Sequence, residues 1–212
     1  MTTTEQATPR PSQADLAYEE VRDLLVRLEI APGAPIIEAD LMERTGFGRT
    51  PLREALNRLE AERLVKIYPR RGTFAADINL ADLALITDLR EELEGHAAHR
   101  AAERATPDER AMLSQIAGEI GHSQEQMSLD TEIHRAIYAA SHNHFLMETA
   151  TQYYNLSMRI WRLFMDRLPE IAAHVGEHKA LLQAIVSGDA ETARNLARAH
   201  VRRFESAVRK LL

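Results

Sequence analysis

The sequence contains no cysteine. Disulfides, thiolate metal sites and cysteine nucleophiles are therefore excluded. No apolar run approaches the ~18–20 residues needed to span a bilayer. The first 11 residues are polar and lack the apolar centre of a secretory signal. These absences predict a cytoplasmic protein with no membrane contact. A positive net charge is missing too: 26 Lys and Arg face 32 Asp and Glu, a formal charge of −6. That balance excludes a uniformly basic nucleic-acid coat but leaves room for a local basic patch. What is present is ordinary for a globular protein, with 45% hydrophobic and 27% charged residues over 212 positions. Such a length holds one or two domains, each able to bury a core.

Helix breakers are unevenly spread. Residues 1–14 are rich in Thr, Gln, Pro and Ser and read as a mobile tail. Residues 15–77 hold short elements separated by Pro and Gly. From residue 80 onward breakers are few, which predicts long amphipathic helices. The chain thus divides into one domain over 15–77 and a second over 80–212. In the first, Ala17, Val21, Leu24, Leu25 and Leu28 recur at helical spacing. Ala31-Pro32-Gly33-Ala34-Pro35 ends that helix. A short helix follows over 37–44, with Gly46 a natural stop. A third begins near Arg49, with Pro51 tolerated in its first turn. Leu52, Ala55, Leu56 and Leu59 share its inner face, so Thr50, Arg53, Glu54 and Asn57 point outward. Two β-prone runs, 64–68 and 73–76, flank Pro69-Arg70-Arg71-Gly72, which reads as a hairpin tip.

Three helices and a basic-tipped hairpin make a winged helix-turn-helix, whose second motif helix enters the major groove of DNA. The turn is Thr45-Gly46-Phe47-Gly48. Residues 44–71 carry eight basic residues against three acidic ones, a local excess inside an acidic protein. Arginine suits both phosphates and guanine edges, because its planar fork bonds two acceptors at once. A solvated helix face is the bland alternative; the helix-turn-helix spacing and the basic wing together outweigh it.

The segment Arg49-Thr50-Pro51-Leu52-Arg53-Glu54-Ala55-Leu56, then Arg58-Leu59-Glu60, resembles the recognition-helix signature of the GntR family of transcription regulators. Ala31-Pro32-Gly33 and Arg71-Gly72 fit the same pattern. The resemblance implies that Arg49, Thr50 and Arg53 contact double-stranded operator DNA, with Gly72 in the wing at the minor groove. Two positions depart from it. Gly48 stands where members often carry Ser, and Ala39 where they commonly carry a charge.

The second domain is predicted as an all-α bundle of six or seven helices, over about 80–104, 107–120, 126–141, 143–168, 170–187 and 189–211. Pro107 and Pro169 sit near starts, and Ser187-Gly188-Asp189 gives a stop followed by an N-cap. Of nine histidines, three fall in phase with apolar faces. His134 is four residues after Asp130, so both face one way. His178 lies in phase with Leu181, Leu182 and Ile185. His200 lies in phase with Ala193, Leu196, Phe204 and Val208. Their convergence with a carboxylate would suit Zn, Ni, Mn or Fe. A hydrogen-bonded core histidine is the plainer reading of any single one. His174 and His178 form a competing pair at i and i+4. His96, His99, His122, His142 and His144 read as surface or helix-end residues.

Leu89-Arg90-Glu91-Glu92-Leu93-Glu94, Asp130-Thr131-Glu132-Ile133-His134, the stretch from Glu177-His178 to Gly188-Asp189, and Ala199-His200 resemble the FCD ligand-binding domain of the FadR-like GntR branch. His142 stands where members often have Gly. The resemblance implies a divalent ion held by Asp130, His134, His178 and His200. It also implies that Arg90 faces the cavity and clamps a small carboxylate effector. A salt bridge from Arg90 to Glu94, four residues on, is the competing reading. The expectation is then a ligand-responsive transcriptional regulator, with repression the favoured sign, dimeric through its C-terminal domain. It is not expected to be an enzyme. The alternatives are a metal-dependent helical-bundle enzyme, though no His-Glu-x-x-His sequence is present, and a constitutive DNA binder without effector.

Overall fold

The computed structural model describes residues 11–121, 126–164 and 175–211. The chain forms two compact units, Met1–Ile78 and Asn79–Leu212.

In the first unit, α1 (Gln13–Val26) begins inside the stretch expected to be a tail. Ser12 is its N-cap, and a reciprocal capping box with Asp15 satisfies two otherwise unpaired N–H groups. The helix stops at Val26, so Leu28 is not part of it. Leu28 instead takes a left-handed φ of 57°, and Glu29 and Ile30 both donate back to the Leu24 carbonyl. The sequence pattern counted Leu28 as helical because it sits at the right spacing. The helix α2 (Glu38–Thr45) ends on Gly46 with φ 75°, as its stop signal predicts. The helix α3 (Arg49–Ala61) begins after Gly48, which offers no side-chain cap. Ala17, Val21, Leu25, Leu52, Ala55, Leu59 and Leu64 are all fully buried between α1, α3 and the sheet.

The sheet holds a strand that the sequence did not suggest. Its order is β1-β3-β2, antiparallel throughout, with β1 (Pro35–Ile36), β2 (Val65–Tyr68) and β3 (Gly72–Ala75). Prolines made 31–35 read purely as a terminator. Pro35 is tolerated because β1 pairs on one side only, with Phe74 opposite Pro35. Gly33 (φ 74°) turns the chain there, and a Cβ on it would lie 2.7 Å from Asp77 Oδ1. At the other edge, the Ile67 N–H donates to Glu60 Oε1 at 2.9 Å. The hairpin tip turns through Arg70 (φ 65°) and Gly72 (φ 104°).

The second unit is helical throughout its described residues, apart from turns. A 3-10 turn (Leu80–Asp82) leads into α4 (Leu83–Arg104), α5 (Pro107–Glu119), α6 (Gln126–Ala140) and α7 (His144–Phe164). The helices α8 (His178–Ser187) and α9 (Ala190–Arg209) follow. The helix expected over 170–187 is seen from His178, while Pro169 and His174 lie outside the described residues, as does His122. Helix α4 is the axis and packs against α6, α7, α8 and α9. Its approach to α9 is close because small residues face each other. Ala97, Ala98 and Ala101 on α4 and Ala193 and Ala197 on α9 are all nearly inaccessible. A Cβ on Gly95 would lie 2.7 Å from Arg198 Cγ. On α9 the buried stripe runs through Ala197 rather than the expected Leu196.

Helix α5 starts with Thr106 and Glu109 in a capping box and Pro107 in its first turn. Between α6 and α7, His142 takes φ 49°, the left-handed region for which glycine is the usual residue. Its Nε2 lies 2.9 Å from Glu109 Oε2, a contact that holds this strained position. Among the described residues no helix is long and apolar enough to cross a membrane.

Candidate metal centre and nucleic-acid interface

Asp130 and His134 project from α6, one turn apart, because residues at i and i+4 share a helix face. His178 opens α8, and His200 lies midway along α9. The four side chains meet in the interior of the second unit. Each offers one ligand atom, and these atoms lie within 4.8 Å of one another, with all four residues buried. The sequence reading brought together the same four.

Each histidine engages a partner through Nδ1. His134 Nδ1 lies 3.2 Å from the Tyr138 hydroxyl and 3.3 Å from Glu94 Oε2. His178 Nδ1 lies 3.3 Å from the Val175 carbonyl, and His200 Nδ1 lies 3.1 Å from Glu177 Oε2. Such partners fix the tautomer with the proton on Nδ1 and the lone pair on Nε2. His134 Nε2 and His178 Nε2 are 3.3 Å apart. A separation of about 3.0–3.4 Å is what two nitrogens sharing a divalent ion at ~2.1 Å would have.

Electrostatics points the same way. Burial pushes His178 down to about 4, against the pull of Asp130, so its imidazole is neutral and able to coordinate. The Tyr154 hydroxyl donates to Asp130 Oδ2 at 2.9 Å. Burial and the Asp130 charge both raise Tyr154, which keeps it a donor. The donor set is three imidazoles and one carboxylate, and it fits a borderline divalent cation.

Arg90 lies one step outside this cluster. Its Nε donates to Glu94 Oε1 at 2.7 Å, and both side chains are almost fully buried. Another of its nitrogens donates to Ser157 Oγ. Its guanidinium sits over the rings of Tyr154 and Phe204, 5.5 and 5.8 Å from their centroids. Glu94 therefore joins Arg90 to His134. Burial works to raise the Glu94 carboxyl, but Arg90 and His134 outweigh it and hold it at about 2. The salt bridge weighed for Arg90 is present.

Glu94, Tyr138, Tyr154 and Glu177 are the partners that sequence reasoning did not assign to the cluster. Tyr138 carried a signal, being four residues after His134. Tyr154 carried none. The other described histidines lie elsewhere. The side chain of His99 is only 16% exposed and bridges Glu103 and Glu191, so it is less superficial than expected. His96 is half-buried, and His142 and His144 are exposed.

In the first unit, α3 exposes Arg49, Thr50, Arg53, Glu54 and Asn57, and its inner face is buried. Arg53 Nε donates to Glu38 Oε1 at 2.7 Å, and Arg49 Nε lies 3.6 Å from Glu38 Oε2. Gly72 is exposed at the hairpin tip.

Known proteins resemble both units. The profile of the FCD domain matches residues 85–203, and that of the bacterial regulatory proteins of the gntR family matches residues 13–75. The chain is 24% identical over 217 residues to the HTH-type transcriptional repressor RspR of Escherichia coli (strain K12), covering 100% of this chain and 95% of that one. It is 28% identical over 199 residues to the HTH-type transcriptional regulator McbR of the same strain, covering 89% and 90%. The solved structure of E. coli McbR/YncC superposes with a TM-score of 0.83 at 23% identity, over 95% of this chain and 99% of that one.

Proposed function

We propose a metal-assisted, ligand-responsive repressor, on the premise that this chain belongs to the GntR family of bacterial regulatory proteins and carries an FCD domain. The protein is a DNA-binding transcriptional regulator, and its relatives are regulators rather than enzymes. The finer reading has four parts. Arg49, Thr50 and Arg53 read base edges or phosphates, and Gly72 lets the wing backbone approach the minor groove. Asp130, His134, His178 and His200 hold one divalent ion (Zn, Ni, Mn or Fe), which supplies open coordination positions for a carboxylate. Arg90 adds a charged clamp, since Glu94 and Ser157 take three of its five N–H donors. A homodimer in the cytoplasm, joined through the helical units, presents two winged units to a pseudo-palindromic operator.

The observation that carries the reading is the buried convergence of three imidazoles and a carboxylate within 4.8 Å. Three nitrogen donors and a carboxylate brought this close in the interior are the donor set a divalent ion takes. The repressor sign is supported by the name of RspR. An effector regulates only if it binds one conformation better, and tenfold preference corresponds to about 1.4 kcal/mol.

Elemental analysis of purified wild type and His178→Ala tests the centre. The wild type should carry an ion that the variant lacks, and full retention by the variant would remove His178 from the ligand set. In a thermal-shift screen, small carboxylic acids should raise the melting temperature beyond the effect of the divalent ion alone, and should not raise it without the ion. Acids that bind yet leave DNA affinity unchanged would make the protein a constitutive binder.

A further inference from the structure

The recognition helix presents its arginines already engaged. Within residues 44–71, Arg44 pairs with Glu29, Arg49 and Arg53 with Glu38, Arg58 with Asp15, and Lys66 with Asp77. All four carboxylates come from outside that stretch. The positive excess visible along the sequence is thus masked where α3 would meet DNA. Arg70 and Arg71, at the hairpin tip, pair with no described carboxylate.

Glu38 differs from the other three. It takes two arginines at once, one turn apart on α3, from the first turn of α2. It is also the most sheltered of the set, at 30% exposed against 64% and 60% for Arg49 and Arg53. Its carboxyl is held below the usual range, chiefly by the hydrogen bond from Arg53, so it stays charged.

We propose that Glu38 is a specificity-determining residue of DNA recognition. It neutralises Arg49 and Arg53 toward phosphates and turns the free edges of their guanidinium groups toward base edges. The proposal rests on the reading of Arg49 and Arg53 as base contacts. Binding to arbitrary duplex is driven by neutralising phosphates and releasing their counterions. An arginine that already holds a carboxylate gains little by exchanging one anion for another. A base edge requires no such exchange. With Nε of Arg53 bonded to Glu38 and Nε of Arg49 facing it at 3.6 Å, the terminal nitrogens remain to bond the O6 and N7 acceptors of guanine. The internal carboxylate therefore penalises random sequence more than matched sequence. The open arginines of the hairpin tip supply the sequence-independent grip.

The test compares full-length wild type, Glu38→Gln and Asp40→Asn. Asp40 lies in the same helical turn, is exposed, and pairs with no described arginine. The probes are a duplex that the wild type enriches from a random library and a random-sequence duplex of equal length, each titrated at several KCl concentrations. Glu38→Gln should bind the random duplex roughly three- to tenfold more tightly, with a salt slope steeper by about one per released guanidinium. It should gain nothing at the enriched duplex, so the ratio of the two affinities falls. Asp40→Asn should keep the wild-type ratio. A ratio unchanged within twofold in Glu38→Gln, or an equal fall in Asp40→Asn, overturns the proposal. If the wild type enriches no sequence, the base-contact reading fails first and the proposal falls with it.

Discussion

Two arginine–carboxylate pairs of equal bond length sit in opposite surroundings. Arg53 meets Glu38 at 2.7 Å on the winged unit, and Arg90 meets Glu94 at 2.7 Å in the helical unit. The first pair is largely open to water, and the second is sealed. In water the ions lose little by parting, so the first pair can be exchanged for another anion. In the interior neither ion can be released without leaving the other uncompensated. Identical chemistry is thus a removable mask in one place and a fixed strut in the other. The distinction suits a protein that must pick up and drop DNA with one unit while holding a shaped interior in the other.

Breaking the sealed pair should have the largest effect. Glu94→Ala leaves Arg90 buried without its carboxylate and should cost about 3–5 kcal/mol in denaturant unfolding of the helical unit. A loss no greater than that of an exposed pair would erase the contrast. The next effect tests the cluster's outer support. Glu177→Gln keeps the shape but weakens the acceptor at His200 Nδ1, and should lower divalent-ion affinity by about 10- to 100-fold in a competition titration. Unchanged affinity would make the contact between Glu177 and His200 incidental. The smallest effect belongs to the open pair. Arg53→Ala should weaken binding to an enriched duplex by roughly tenfold and relax preference at one base position, while the melting temperature barely moves. A large drop in melting temperature would mean that Arg53 supports the fold rather than recognition.

The parts legible in the sequence are those fixed by local period or local chemistry. Leu52, Ala55, Leu56 and Leu59 gave the inner face of α3, and all four are buried. Gly46 and Gly188 marked helix ends, and both take left-handed φ. Asp130 and His134 were readable as a pair because one turn of helix separates them. That His178 and His200 join them rested on inward phase and on family resemblance, since no local rule links residues on three helices. The illegible parts depend on distant partners. Pro35 forms a strand only because β3 arrives beside it. Tyr154 finds Asp130 across 24 positions of chain. Leu28 fits the helical spacing, yet the chain has already turned away. Glu38 gave no hint of its contacts with Arg49 and Arg53, because the turn that carries it toward α3 is a tertiary event.

The small sheet has a consequence for how copies of this chain can meet. Its outer strand on one side is two residues long and begins with a proline, which has no N–H to offer. On the other side, the Glu60 side chain occupies the Ile67 N–H. Both margins are therefore blunted against a foreign strand adding itself to the ladder. This unit is thereby protected from edge-to-edge aggregation. A second copy would have to meet this chain through other surfaces.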